Sequence, residues 1–422
     1  MKIKAILIHM QSFSLIWLLI AMSCSNTGNK NSGTMENQYL KGTHGYDKAF
    51  FEKNNIGTLE LNDTSSGASV LIIPGYQGRV MTSTSGGNSG KSYGWINYSL
   101  IGSGNLNPQF NPFGGEERLW LGPEGGPFSV YFKKVDDQIF ANWKVPSELD
   151  TAAFDIVATG KGFAAFSKDF SLTNASGTEM QIGIERSIRL LNLSETEKAI
   201  GVVLDDSISL VAYESENILK NNGTNNWTSS SGFLSIWILA MFNPSEKGIV
   251  FIPFKPGNES DLGKIVNDDY FGKIPADRLL VKDHVIYFKT DGKFRSKIGI
   301  SPKRALPFCG SYDPVGGVLT LLWYSAPEQQ AYYVNSKWGK QDDPLNGDVI
   351  NSYNDGPNEN GSIMGPFYEI ESSSPAALLE AGSRIKHTQR IFHISGDKTK
   401  LTMITEKLFG LSLEQIEKSF NQ

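Results

Sequence analysis

Short runs of alternating apolar and polar residues recur along most of the chain and predict strands wherever the period is two. Examples are "GTLELND" (57–63), "ASVLIIPGYQGRVMTSTS" (68–85), "FSVYFKKV" (128–135), "GFAAFSKDFSLTN" (162–174), "MQIGIERSIRLLN" (180–192), "HVIYFKTDG" (284–292), "SKIGISP" (296–302) and "HTQRIFHISG" (387–396). Nearly continuous apolar runs such as "FLSIWILAMFN" (233–243) predict strands covered on both faces, with Trp237 in the core. "LTMITEKLFG" (401–410) reads as a further strand, and only "LSLEQIEKSF" (411–420) reads as a helix, with Ser412 as its N-cap. Clusters of Gly, Asn, Pro, Asp and Ser separate the runs. With no fixed repeat and no compositional break, the pattern predicts an all-β fold, a large antiparallel sandwich with a short C-terminal helix, in one domain over 38–422.

The first 37 residues follow other rules. Lys2 and Lys4 precede the apolar run Phe13–Met22, which has the length of a signal-peptide core and is short for a membrane span. Ala21 and Ser23 before Cys24 form a relaxed bacterial lipobox, so residues 1–23 are expected to be a lipoprotein signal peptide and Cys24 to carry lipid. A secretory signal without lipid is the alternative. The polar stretch 24–37 then serves as a flexible tether, and its lack of an acidic run favours a protein anchored in the bacterial outer membrane and facing the periplasm. Cys309 is the only other cysteine, so no disulfide framework is expected and Cys309 reads as a buried filler.

A formal net charge of −5, with no basic stripe, excludes nonspecific nucleic-acid binding, and the membrane is expected to be met only through the anchor. The chain has no Gly-x-Ser-x-Gly elbow, no phosphate-binding glycine loop and no His-Glu-x-x-His helix. "GGNSGKS" (86–92) ends in Gly-Lys-Ser but reads as a hairpin loop. No cofactor and no metal are expected. The turn around Asn354 and Asp355 offers oxygens that suit either sugar hydroxyls or calcium, without an EF-hand spacing.

Candidate chemistry gathers in a few segments. In "FYEIES" the strand period places Glu369 and Glu371 on one face with Phe367, and Tyr368 and Ile370 on the other. Two adjacent carboxylates repel, so one is expected to hold a proton while the other stays ionised, as acid/base work on a sugar requires. Pairing with Arg186, Arg189 or Arg384 is the structural alternative. "FGGEERLWLGPEGG" brings Glu116, Glu117, Arg118, Trp120 and Glu124 together between glycine pairs. There Arg118 can orient Glu369 and Trp120 can stack on a pyranose, unless both belong to the core. Trp227 in a polar loop is a candidate exposed platform, and Tyr353, Asn354 and Asp355 are candidate sugar-binding residues. His387 is the most site-like histidine, with His393 on the same strand face.

These segments also carry a resemblance. "PGYQGRVMTST", with Gly78 leading into Arg79, resembles the early glycine-arginine turn of aldose 1-epimerases of the galactose mutarotase-like superfamily. "GGEERLWLGPEGG", "NGDVINSYNDGP" (346–357) and "GPFYEIESSSPAALLEAGSRIKHTQRIFHI" (365–394) resemble elements of mutarotase-like bacterial lipoproteins in the same order, over about residues 75–394. The resemblance implies a β-supersandwich whose concave sheet face receives a carbohydrate ligand, with Arg79 among the binding residues. Aldose epimerases use a histidine and a glutamate to move protons at the ring oxygen and the anomeric hydroxyl. None of His44, His284, His387 and His393 lies in a matching motif, so the activity does not carry over with the fold. The expectation is an envelope-anchored lipoprotein that binds and processes a carbohydrate by carboxylate acid/base chemistry. A noncatalytic glycan-binding lipoprotein, or an envelope protein in which the motif residues are a buried ion-pair network, stays open.

Overall fold

The computed structural model describes residues 38–327, 331–358 and 361–421. The signal, tether and Cys24 readings lie outside these residues. Among the described residues, three antiparallel sheets make up the body. A ten-stranded sheet runs, in spatial order, through 279–282, 285–289, 249–253, 308–313, 318–324, 384–396, 208–221, 179–190, 163–173 and 155–160. A five-stranded sheet has the order Ser296–Ile300, Ile350–Asn354, Tyr368–Ser373, Ser235–Phe242, Arg118–Gly122. A three-stranded sheet (59–63, 68–73, 79–84) packs against a helix, His44–Lys53, through Phe50, Phe51, Leu71, Ile73 and Met81.

Layering follows from the residue patterns. Ile236, Ile238, Ala240, Ile298, Ile350 and Ile370 on one face of the five-stranded sheet share a core with Ile182, Ile184, Val211, Leu219 and Ile391 of the large sheet. The opposite face of the large sheet, through Ala212, Phe251, Leu319, Leu321 and Phe392, is covered by the C-terminal helices Lys398–Phe409 and Leu413–Glu417. The central strands 235–242 and 368–373 are buried at every position. Cys309 is buried in the main core.

Some elements differ from the pattern reading. "LTMITEKLFG" is helical: the Asp397 side chain accepts from the amides of Thr399 and Lys400, Gly410 closes the C-terminus, and Leu401, Ile404 and Thr405 form a buried stripe at helical spacing. Ser412 caps the next helix reciprocally with Gln415. Residues 128–135 form no strand, and instead Val130, Tyr131 and Phe132 plug the core as an irregular segment. The run 68–85 is broken by a turn at Pro74–Tyr76, where Gln77 and Gly78 both take positive φ. A Cβ on Gly78 would lie 2.6 Å from the Phe166 ring, so this turn requires glycine. Among the described residues no helix is long and apolar enough to cross a membrane.

Candidate functional site

The face of the five-stranded sheet turned away from the large sheet carries charge. In the register, Glu369 is opposite Tyr353 and Met241, and Glu371 is opposite Asn351 and Leu239. Lys297 is opposite Tyr353, Arg118 is opposite Leu239, and Trp120 is opposite Trp237. Directly paired residues share a face, so five neighbouring strands bring Arg118, Trp120, Trp237, Lys297, Asn351, Tyr353, Glu369 and Glu371 together.

Each carboxylate has its own cation, and each cation lies on its own indole. Arg118 Nη2 donates to Glu369 Oε1 at 3.0 Å, and its guanidinium sits 4.2 Å from the centre of the Trp120 ring. Lys297 Nζ donates to Glu371 Oε2 at 3.0 Å and sits 4.9 Å above the Trp237 ring. Trp237 Nε1 donates to the same Oε2 at 2.8 Å. Glu371 Oε1 is buried and accepts no hydrogen bond from the described residues. Beside Lys297, Tyr270 donates to Asp348 Oδ2 at 2.7 Å and accepts from Asn351 Nδ2 at 3.2 Å.

The electrostatics separate the groups. Burial pushes the Glu369 carboxyl up from 4.5 to about 7; Arg118 opposes the shift and the charge of Glu371 adds to it. Burial likewise raises Glu124, against Lys297 and with Glu371. Burial works against the Lys297 ammonium, but Glu371, Glu124 and Glu369 outweigh it and hold the amine above its ordinary value. A proton on Glu369 can therefore be taken or given near neutral pH, beside a second carboxylate with a bare oxygen.

The other sequence candidates lie elsewhere or are differently engaged. Glu116 and Glu117 point inward, not to the Arg118 face. Glu117 accepts from Arg186 Nη2 at 2.8 Å and Gln389 Nε2 at 3.0 Å, and Glu116 meets His393 Nε2 at 2.9 Å and Ser83 Oγ at 2.7 Å. His387 is buried between the sheets with Nε2 2.7 Å from Ser372 Oγ, so it faces away from Glu369 and Glu371. The expectation of Trp227 as an exposed platform is corrected: it is only 5% exposed and packs in the main core. Trp120 is also buried, and its stacking face is taken by Arg118. Arg79 is interior, donating to Gly114 O and Gln77 Oε1, both at 2.9 Å. Asn354 holds the amide of Gly292 at 2.9 Å and Phe294 O at 2.9 Å, and Asp355 accepts from the Tyr353 hydroxyl at 2.7 Å and the Gly365 amide at 2.8 Å. Glu124 lies beside the charged face and Tyr353 on it. Sequence reasoning missed Lys297, whose signal was a lone charge inside the short alternating run "SKIGI".

A family model described as a family of unknown function, DUF6786, matches residues 42–420. The chain belongs to that family. No curated protein matches this DUF6786 chain in sequence. In structure it is similar to the Slr1438 protein from Synechocystis sp. PCC 6803, at 12% identity and a TM-score of 0.45, covering 81% of this chain and 96% of that one. It is also similar to a galactose mutarotase-like protein from Lactobacillus casei ATCC 334, at 10% identity and a TM-score of 0.43, covering 80% and 100%. A galactose mutarotase related enzyme from Lactobacillus acidophilus is similar at 8% identity and a TM-score of 0.44, covering 80% and 97%.

Proposed function

We propose that this protein is a lipid-anchored envelope protein with a galactose mutarotase-like β-supersandwich, and that it binds a carbohydrate on the charged face of the five-stranded sheet and moves protons on it. The observation that carries the reading is the Glu369–Glu371 pair, in which a carboxyl pushed up to about 7 stands next to a carboxylate whose Oε1 accepts nothing from the described residues. Exchange at an anomeric centre needs one group to protonate the ring oxygen and another to take the hydroxyl proton. With His387 turned to the other side of the strand, Glu369 is the proton carrier and Glu371 the accepting partner. The sequence resemblance to mutarotase-like lipoproteins and the segment before Cys24 support the sugar class and the anchor.

The test follows anomeric exchange of aldoses by NMR with the purified protein and its Glu369→Gln variant, alongside direct binding. Catalysed exchange that is lost in a variant still able to bind supports the acid/base reading. Binding with no exchange in either protein supports a glycan-binding lipoprotein, and absence of both removes the carbohydrate reading. Globomycin-sensitive processing and labelling of Cys24 by a fatty-acid analogue test the anchor.

A further inference from the structure

At the Arg118 edge of the charged face two large rings stand partly in solvent. Phe140 is 63% exposed and Trp338 36% exposed. Both stack on Trp143, with ring centres 5.9 Å and 6.2 Å from it. From Trp143 the contacts run inward: its ring centre is 6.3 Å from that of Trp120, and the Arg118 guanidinium lies 4.2 Å from the Trp120 ring. A second link joins the same places, because Trp338 donates a hydrogen bond to the Glu124 carboxyl, which also feels the charges of Lys297, Glu371 and Arg118. The loop carrying Trp338 is pinned. Gln138 Oε1 accepts from the amides of Gly126 and Gly339, both at 2.7 Å, Gln341 Nε2 donates to Asn335 O at 2.8 Å, and Lys337 Nζ donates to Asp269 Oδ1 at 3.1 Å. An exposed ring held in one position loses little conformational freedom when a ligand covers it, and its apolar face meets the C–H face of a pyranose. At the other edge of the sheet Phe271 is 45% exposed, but Arg295 lies 3.8 Å from its ring centre, so the open stacking surface is on the Arg118 side. The inward contacts also hold unmet polar atoms. Among the described residues Trp143 Nε1, Trp120 Nε1, Arg118 Nε and Arg118 Nη1 find no acceptor, and Glu371 Oε1 finds no donor. Hydroxyl groups both donate and accept, so a ligand rich in them suits this run of atoms.

We propose that the ligand is a chain of linked sugars rather than a single one: one ring occupies the charged face at Glu369 and Glu371, and the following rings stack on Trp338 and Phe140. This rests on the carbohydrate reading above and deepens it. Anomeric exchange needs a free anomeric hydroxyl, so the ring at Glu369 is the reducing end. The chain then leaves through another hydroxyl of that ring and runs past Glu124 toward the exposed rings.

The experiment measures binding of D-glucose, D-galactose, maltotetraose, cellotetraose and β-1,4-galactotetraose to the purified protein by isothermal titration and ligand-observed NMR. Wild type is expected to bind a tetrasaccharide at least about tenfold more tightly than its monosaccharide, a difference that corresponds to about 1.4 kcal/mol. Trp338→Ala and Phe140→Ala are expected to remove that gain while leaving monosaccharide affinity unchanged, with circular dichroism confirming the fold. Trp338→Leu keeps an apolar side chain over Trp143 and is expected to lose the gain as well, which separates the stacking face from a structural role. Equal affinities of wild type for a monosaccharide and its tetrasaccharide, or a gain that survives in the Trp338→Leu and Phe140→Ala double variant, overturn the chain-binding inference and leave the carbohydrate reading in place. Failure of wild type to bind any of the five sugars overturns both.

Discussion

Replacing Glu369 by Gln separates the proton on this residue from its shape. In the folded protein the carboxyl is pushed up from 4.5 to about 7, chiefly by burial, and only 5% of the residue is exposed. Between these values the folded chain holds a proton that the unfolded chain has released, so stability falls as pH rises from about 4.5 through about 7 and the loss is complete above that. At about 1.4 kcal/mol per pH unit the interval corresponds to about 3 kcal/mol. Asp47, raised to about 6 by burial, acts in the same direction, and His387 acts in the opposite one. The informative quantity is therefore the difference between wild type and Glu369→Gln, in which the contributions of the other groups cancel where they do not touch Glu369. Guanidinium denaturation at about pH 5, 6, 7 and 8 is expected to show the variant gaining about 3 kcal/mol relative to wild type across the series. Parallel profiles for the two proteins would refute the account, because Glu369 would then ionise equally in the folded and unfolded chains.

Arg186 and Glu117 are both fully buried and paired at 2.8 Å, so Arg186→Met strands a carboxylate in the core and is expected to cost about 3–5 kcal/mol by denaturant titration. Burial lowers the His387 imidazole to about 3; stability is lost as pH falls below 6.5, and His387→Asn is expected to flatten the acid limb of the thermal midpoint between about pH 6.5 and 4. A Cβ on Gly365 would lie 2.0 Å from the Trp95 ring, which packs 4.8 Å from Phe367, so Gly365→Ala is expected to lower stability by about 1–3 kcal/mol with an unchanged denaturant slope. Burial raises the Cys309 thiol to about 12; in a Cys24→Ser background its modification by a thiol reagent at pH 8 is expected to follow the rate of unfolding.

Local rules account for a defined share of the molecule. The alternation of "YEIESS" is a covalent consequence of the strand, so Glu369 and Glu371 share a face whatever the tertiary context, and the Ser412 cap follows from three neighbouring residues. The same local pattern misled at 401–410, where an apolar stripe at helical spacing also scans as a β run, and only burial against the large sheet selects the helix. Which face of strand 368–373 meets the core was not legible, because the strand is buried at every position and both of its faces carry polar residues. That choice sends Ser372 to His387 and leaves the two glutamates to Arg118 and Lys297. Arg118 lies 251 residues from Glu369, and Lys297 74 from Glu371. Such partnerships depend on strand order and register across five chain segments, quantities set by the packing of whole sheets rather than by any local run.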